Sequence, residues 1–356
     1  MIVVLPQTPS LELQASLRVT ADVSGAEWDS YVSRHPDATA DHLSCWREIF
    51  ERVFGHRSVY LAARRGDTIA GVLPLVLFRS RLFGRSIVSM PFLNYGGLVT
   101  NDVEATGTLV NHANELAREF GASHIELRHR SRQLEGLPYR QHKLAFVRAL
   151  PSTVEDLWKD TDRKIRNQVR KAQKEGLVVQ EGGKELVEDF YSVFSRNMRD
   201  LGTPVYPKRL FTETLGFLAA NASVFVVRLD KRPLAAAIAI RFRDSVLVPW
   251  ASSLREFRHL SANTLLYWSM LERATTTGSR TFDFGRSSPG GGTQQFKLQW
   301  GAEESPLFWE YPHLSGTDVP DHSPTNPRFQ AAVAVWKRCP LWFTNTVGPH
   351  VVRAIP

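Results

Sequence analysis

The sequence predicts an α+β protein built as a tandem duplication. Three observations carry this. Val59–Leu75 (VYLAARRGDTIAGVLPL) and Val224–Ile240 (VFVVRLDKRPLAAAIAI) align without a gap, 165 residues apart. Each reads as two apolar runs around a polar turn, Arg65-Gly66-Asp67 in one and Asp230-Lys231-Arg232-Pro233 in the other, which is hairpin chemistry. Ala117–Leu127 (AREFGASHIEL) and Ala274–Phe284 (ATTTGSRTFDF) align likewise, 157 residues apart, as a helix stopping at Gly121 or Gly278 and a strand beginning at once. The two matches fall in the same order, so each half should run helices, hairpin, further strands, helix, strand.

A chain of 356 residues suits two such units, at about 150 residues per domain. The boundary is expected near Pro151, giving domains at 1–150 and 151–314 and a linker with a helical tail over 315–356. Hydrophobic residues at 43% and charged residues at 22% exclude a disordered chain. The net charge of +8 favours an anionic partner. Two cysteines, Cys45 and Cys339, cannot make a disulfide scaffold, which suits a reducing compartment. The start, Met1-Ile2-Val3-Val4 cut short by Pro6, does not read as a secretory leader, and no apolar run approaches the roughly 18 residues of a membrane span. The expectation is a soluble, cytoplasmic protein, with peripheral contact to anionic lipid left open.

Beyond Pro151, Ser152-Thr153-Val154-Glu155 has the pattern of a capping box with Ser152 at the cap, opening one helix that ends at Gly176. It carries seven basic residues between Lys159 and Lys174 against two acids. At 100° per residue, Lys159, Arg163, Arg166, Asn167, Arg170 and Lys174 share a face opposite Trp158, Ile165, Val169 and Ala172. Acids are absent from Arg163 to Lys174, unlike an ordinary solvated face, so the face is read as anion-binding. Ser315–Pro327 reads as a linker. The aromatic and basic tail from Phe329 reads as a helix packed on the second half, in preference to a membrane-surface element.

The run Phe282–Gly301 (FDFGRSSPGGGTQQFKLQWG) is the second candidate site. Its DFG triplet lacks the rest of the kinase signature, and its three glycines lack the GK[ST] of a phosphate-binding P-loop. What remains is a strand ending at Phe284, a glycine-rich loop with Arg286, and an expected strand carrying Phe296, Lys297 and Trp300. Such a loop lets backbone approach a ligand beside two cations. Arg258-His259-Leu260-Ser261-Ala262-Asn263 opens a helix where acetyltransferases of the GNAT class hold a pyrophosphate on bare glycine amides; here Ser261 and Asn263 replace the small residues. Asn94-Tyr95-Gly96-Gly97 suits either a cleft or an ordinary turn. The eleven histidines show no metal-ligand spacing, with His124 and His129 read as structural, and no G-x-S-x-G elbow occurs.

The two GNAT-like halves, the helix RKIRNQVRKAQKEGL and the run DFGR…GGG…FKLQWG together resemble the FemAB family of peptidyltransferases, which build peptidoglycan cross-bridges from aminoacyl-tRNA. The details are most similar to the exosortase (PEP-CTERM) associated subgroup and to the BioF2-like acetyltransferase domain. The resemblance implies tandem GNAT-like domains with mixed central sheets flanked by helices. It implies transfer of an acyl or aminoacyl group to an amine of an anionic, nucleotide- or lipid-linked sugar or peptide acceptor. Aminoacyl-tRNA or acyl-CoA would be co-substrate, with no tightly bound cofactor, no metal and no DNA. Phe296-Lys297 matches the family's Phe-Lys pair, and Arg163, Arg166, Asn167 and Lys171 match its basic helix. The stretch from Arg170 to Tyr191 has no room for the coiled-coil arm of some members, which weakens a tRNA donor, and an exopolysaccharide acceptor competes with a peptidoglycan precursor.

The chemistry asks for a fixed cation at the developing oxyanion. Lys297 is expected there as an ammonium, or else holding an acceptor phosphate. Asp283 and Tyr267 are the candidate bases. Arg286, Arg163, Arg166, Asn167, Arg170 and Lys171 would grip substrate, with Phe296, Asn94 and Tyr95 lining it. The alternatives are an acyl-CoA-dependent N-acetyltransferase and a catalytically degenerate scaffold of polysaccharide or exosortase-linked assembly.

Overall fold

The computed structural model describes residues 16–81, 83–316, 319 and 327–355. Among these residues fourteen strands form two seven-stranded sheets. The first half supplies β1 (Leu17–Thr20), β2 (Arg57–Arg65), β3 (Thr68–Ser80), β4 (Gly84–Val88), β5 (His124–His129), β6 (Tyr139–Arg140) and β7 (Leu144–Ala149). The second supplies β8 (Val178–Gly182), β9 (Ala222–Leu229), β10 (Arg232–Phe242), β11 (Ser245–Ser253), β12 (Thr281–Asp283), β13 (Glu303–Pro306) and β14 (Phe308–Leu314).

One sheet runs β1-β2-β3-β4-β5-β14-β6; the other, read from its far edge, runs β8-β9-β10-β11-β12-β7-β13. The orders correspond place for place. Each has one parallel pair, β4 with β5 and β11 with β12, reached through a helix (Val103–Phe120 and Ala262–Thr276). Both helices end where expected, at Gly121 (φ 68°) and just before Gly278 (φ 76°). The expected hairpins are β2–β3 and β9–β10. This is the tandem GNAT arrangement expected from the sequence.

The sixth place in each sheet is filled by the other half. β7 precedes Pro151 yet pairs with β12 and β13 of the second sheet. β14 returns to pair with β5 and β6 of the first. Among the described residues three large cores surround this exchange, and a fourth, smaller cluster with Ala145 of β7 and Trp309 and Tyr311 of β14 lies at it. Helices Val103–Phe120 and Ala262–Thr276 each cover the outer face of a sheet. Helices Gly25–Arg34, Cys45–Phe54, Val187–Leu201 and Lys208–Phe217 are packed between the two inner faces in one shared core, with Trp46 edge-on to Trp250 at 6.4 Å.

Two local expectations are corrected. The cap after Pro151 is Thr153, accepting from the Asp156 amide, rather than Ser152. The single basic helix is two, Val154–Asp160 and Arg163–Lys174. Thr161 turns its hydroxyl back to the Leu157 carbonyl, and Asp162 caps the second helix through the Lys164 amide. Lys159 therefore leaves the face it was assigned to. Among the described residues no helix is long and apolar enough to cross a membrane.

Glu310 fastens β14 to the first half. Its fully buried carboxylate accepts the amides of Gln133 (3.0 Å) and Leu134 (2.8 Å) and lies 2.7 Å from His129 Nδ1. The Leu98 amide donates to His129 Nε2, which leaves Nδ1 as the ring nitrogen that carries a proton beside Glu310. Removing that acceptor strands the buried Leu134 amide, the half-buried Gln133 amide and the ring nitrogen of buried His129. Glu310→Ala is expected to lower stability by about 3–5 kcal/mol, measured by urea unfolding; a loss below about 1 kcal/mol would mean that the strand exchange does not depend on this anchor.

Candidate active site

The loop between β4 and the Val103–Phe120 helix brings Asn94 and Tyr95 to the junction of the halves. Its backbone is held in an unusual path, with Met90 and Phe92 both left-handed (φ 47° and 67°). Phe92 stacks on Phe54 at 4.4 Å, and the fully buried Asp41 accepts the amides of Asn94 (3.1 Å) and Tyr95 (2.9 Å). Burial pushes the Asp41 carboxyl up to about 7, with the nearby Asp283 charge adding to the effect and the two amides opposing it.

The second half meets this loop at the end of β12. Asp283 accepts the Tyr95 hydroxyl on one oxygen (2.6 Å) and the Gly285 amide on the other (2.8 Å). Burial raises its carboxyl above the ordinary range, against the pull of Tyr95, Arg130 and Lys297. The Arg286 amide donates to Asn94 Oδ1 at 3.2 Å. Gly285 is left-handed (φ 71°), and a Cβ there would meet the Val248 carbonyl at 3.0 Å and the Asn94 amide at 3.3 Å. Only glycine fits between the halves at that point.

Phe296 and Lys297 lie on a helix, Gly292–Gln299, not on the expected strand. The Gln294 side chain accepts the Gly290 amide ahead of the first turn. Phe296 and Trp300, one turn apart, both pack on Tyr267. Lys297 is 3% exposed. Its Nζ donates to the carbonyls of Gly285 (2.8 Å) and Arg286 (3.1 Å) and lies 5.1 Å from the centre of the Phe146 ring. Two of its three ammonium protons are thereby engaged and one is left. Burial pushes the Lys297 amine down to about 7, Asp283 opposing and Arg286 reinforcing the shift.

A cationic group that sequence reasoning did not find completes the junction. Arg128 on β5 bonds Glu126 at 2.8 Å and lies 4.2 Å over the ring of Trp309 on β14. The Tyr311 hydroxyl donates to the same Glu126 carboxyl. Burial works to raise Glu126, but Arg128 and Tyr311 outweigh it and hold the carboxyl below its usual range. Arg286 lies 5.3 Å from the Trp309 ring, its pKa pushed down to about 10 by burial and by Arg128. Arg286 Nη1, Asn94 Nδ2 and Trp309 Nε1 are buried donors with no partner among the described residues. Such groups are costly unless something accepts from them. The charges of Glu126 and Arg128, alternating on a strand between apolar neighbours, were a readable signal; Asp41 had none.

A cleft of about 200 Å³ opens between the halves, lined by Thr39, Ala40, Tyr95, Arg130, Arg243, Leu247 and Asp283. Of the expected site residues only Tyr95 and Asp283 line it; Asn94, Arg286, Phe296 and Lys297 lie behind them, and the others lie elsewhere. Tyr267 sits among Phe284, Phe296 and Trp300, and burial raises its phenol well above the ordinary value; its hydroxyl makes no hydrogen bond among the described residues. Arg163, Arg166, Asn167, Arg170 and Lys171 belong to the helix packed beside Ala262–Thr276, where Thr264 donates to Gln168 at 3.0 Å. None of its cations enters an ion pair among the described residues, and Arg170 stacks on Trp158 at 5.3 Å. No bond joins this face to Lys297, but its first turn shares a surface depression with Leu298–Gly301 at the end of the Lys297 helix. Ser261 is left-handed (φ 58°) and makes no side-chain cap at the start of its helix. Among the described residues no cluster of His, Cys, Asp and Glu could hold a metal ion.

Residues 159–298 match the model of the acetyltransferase (GNAT) domain. No curated protein matches the chain by sequence. Among solved structures the chain is similar to FemX, with a TM-score of 0.67 at 17% identity over 84% of this chain and 98% of that one. It is also similar to the C-terminal domain of a putative lysylphosphatidylglycerol synthetase from Agrobacterium fabrum, with a TM-score of 0.55 at 12% identity over 90% of this chain and 95% of that one. A tandem GNAT protein from the clavulanic acid biosynthesis pathway matches with a TM-score of 0.50 at 13% identity over 85% and 100%. At these identities the likeness establishes the fold alone: the chain has a tandem GNAT-like fold, and its residues 159–298 match the GNAT domain model.

Proposed function

We propose that this protein is a FemAB-like N-acyl or aminoacyl transferase, acting on an amine of an anionic cell-envelope precursor at the junction of its halves. The observation that carries the reading is the convergence of Asn94 and Tyr95 from one half with Asp283, Arg286 and Lys297 from the other. The GNAT match and the FemX likeness support the reaction class. Neither bears on the exosortase-linked subgroup.

The acceptor amine enters by the cleft that Asp283 lines. Its nitrogen attacks the donor carbonyl, a C–N bond forms, and the C–S or C–O bond to the carrier breaks. The amine proton passes to Asp283, whose raised pKa suits a general base. The remaining Lys297 proton faces the oxyanion, while the unpartnered Arg286 Nη1 and Asn94 Nδ2 hold acceptor anions. Tyr95, bonded to Asp283, is a positioning residue. Tyr267, walled in by aromatic rings, has no part in proton transfer. Phosphates of the co-substrate, whether acyl-CoA or aminoacyl-tRNA, lie along Arg163, Arg166, Asn167, Arg170 and Lys171. The Ser261 and Asn263 side chains crowd the usual pyrophosphate turn and favour that face over the helix N-terminus.

The test incubates pure protein with acetyl-CoA or charged tRNA and candidate amines, following mass gain. Transfer should fall as pH rises through about 7, because the Lys297 ammonium is present below that value and lost above it; it should also fall on acidification as Asp283 protonates. Lys297→Met is expected to lower the rate about 100- to 1,000-fold. The folded amine has a pKa near 7 against an ordinary 10.5, so wild-type stability should rise relative to this variant between those pH values. Undiminished transfer by Lys297→Met would reject the assignment.

For the basic helix, Arg163→Glu with Arg170→Glu should weaken binding of coenzyme A or tRNA, whichever is the carrier, by at least about tenfold and flatten its salt dependence. Unchanged affinity and slope would make the face ordinary solvated surface.

A further inference from the structure

The C-terminal segment folds as two helices, Pro327–Trp336 and Leu341–Arg353. The second is well seated: Thr344, Gly348 and Val352 are buried, Gly348 against Val205, and the Arg353 carbonyl meets His56 Nε2 at 3.0 Å. The first rests on Gly202 through Val333 and the stem of Lys337. Much of its other described apolar surface is uncovered, although Trp336 is half-buried. Ala331, Ala332 and Ala334 are exposed, Val335 is 63% exposed, and Trp342, just past the turn, is 71% exposed. An apolar helix normally lies inside a protein or against another apolar phase.

The turn itself reads Trp336-Lys337-Arg338-Cys339-Pro340-Leu341-Trp342-Phe343. Phe343 lies 6.3 Å from Trp336 and 5.9 Å from Trp342, so three aromatic rings cluster at a turn that carries two exposed cations. Neither Lys337 nor Arg338 forms an ion pair among the described residues, although nearby Arg199 and Lys208 are paired with Asp200 and Glu188. From Pro327 to Pro356 the sequence holds Arg328, Lys337, Arg338 and Arg353 and not one Asp or Glu. A protein partner is ordinarily met by a rim of mixed charge. Exposed Trp and Val with cations alone fit a surface that is apolar beneath and negative on top.

We infer that the turn joining the two C-terminal helices docks this protein onto an anionic lipid bilayer, Trp342 and Val335 entering the headgroup boundary while Lys337 and Arg338 meet lipid phosphates. With no described helix able to span a bilayer, the contact is interfacial. The inference is independent of the proposed reaction. It would put the protein at the surface where lipid-linked acceptors reside.

The test is co-sedimentation with phosphatidylcholine vesicles, with and without about 30% phosphatidylglycerol. The full chain should partition to the anionic vesicles at least about tenfold better than to the neutral ones. Arg338→Glu with Trp342→Ser, both at exposed positions, should remove that preference at an unchanged melting temperature. Three results would overturn the inference: no partition to anionic vesicles, partition retained by this variant, or partition lost in Arg163→Glu with Arg170→Glu instead. Concentration-dependent pairing of the lipid-free protein, abolished by Trp342→Ser, would assign the patch to a second copy of the chain and also overturn it.

Discussion

The reciprocal exchange of β7 and β14 is the constraint on which the rest of the molecule depends. Each strand fills the sixth place of the other half's sheet, so neither half can separate without leaving a ladder unpaired and a sheet edge open. A hinge between two complete domains would let the cleft breathe; this arrangement fixes it. The strained loop at Met90 and Phe92 persists because Asp41, Phe54 and the second half hold it from three sides. Asn94 and Tyr95 reach Asp283 and Arg286 as a result of topology, not of local flexibility.

The junction is also where the molecule buries its charges. Asp41, Asp283, Arg286 and Lys297 would each be easier to keep in water, and their pKa values move accordingly. Arg128 and Glu126 satisfy one another, but Arg286 Nη1, Asn94 Nδ2 and Trp309 Nε1 have no partner among the described residues. A purely structural network closes its donors. Open donors at a junction that also holds a depressed lysine and a raised carboxyl are the arrangement expected where a substrate completes the bonding.

Much of this was legible in the chain because it is local. The hairpins, the helices ending at Gly121 and just before Gly278, and the loop after Asp283 all announce themselves by turn chemistry and spacing. The strand exchange is not local: β7 finds β12 more than 130 residues away, and β5 finds β14 about 180 residues on. No periodicity encodes such a choice between equivalent sheet places. The helix carrying Lys297 was misread because Phe296, Leu298 and Trp300 alternate like a strand; in the fold Phe296 and Trp300 pack one turn apart on Tyr267 while Leu298 is exposed. Thr161-Asp162 was a readable cap hidden in a charged run. Trp309 and Tyr311 could not be placed at the site until β14 was placed in the first sheet.

The central claim is that residues of both halves act as one unit at the junction. A double-mutant cycle on the transfer rate tests it most directly, with Tyr95→Phe from one half and Asp283→Asn from the other. If their bond positions the reacting carboxylate, the double variant should be about as slow as Asp283→Asn alone. Strictly multiplicative losses would mean that the halves contribute separately, and that the junction is not the centre of the chemistry.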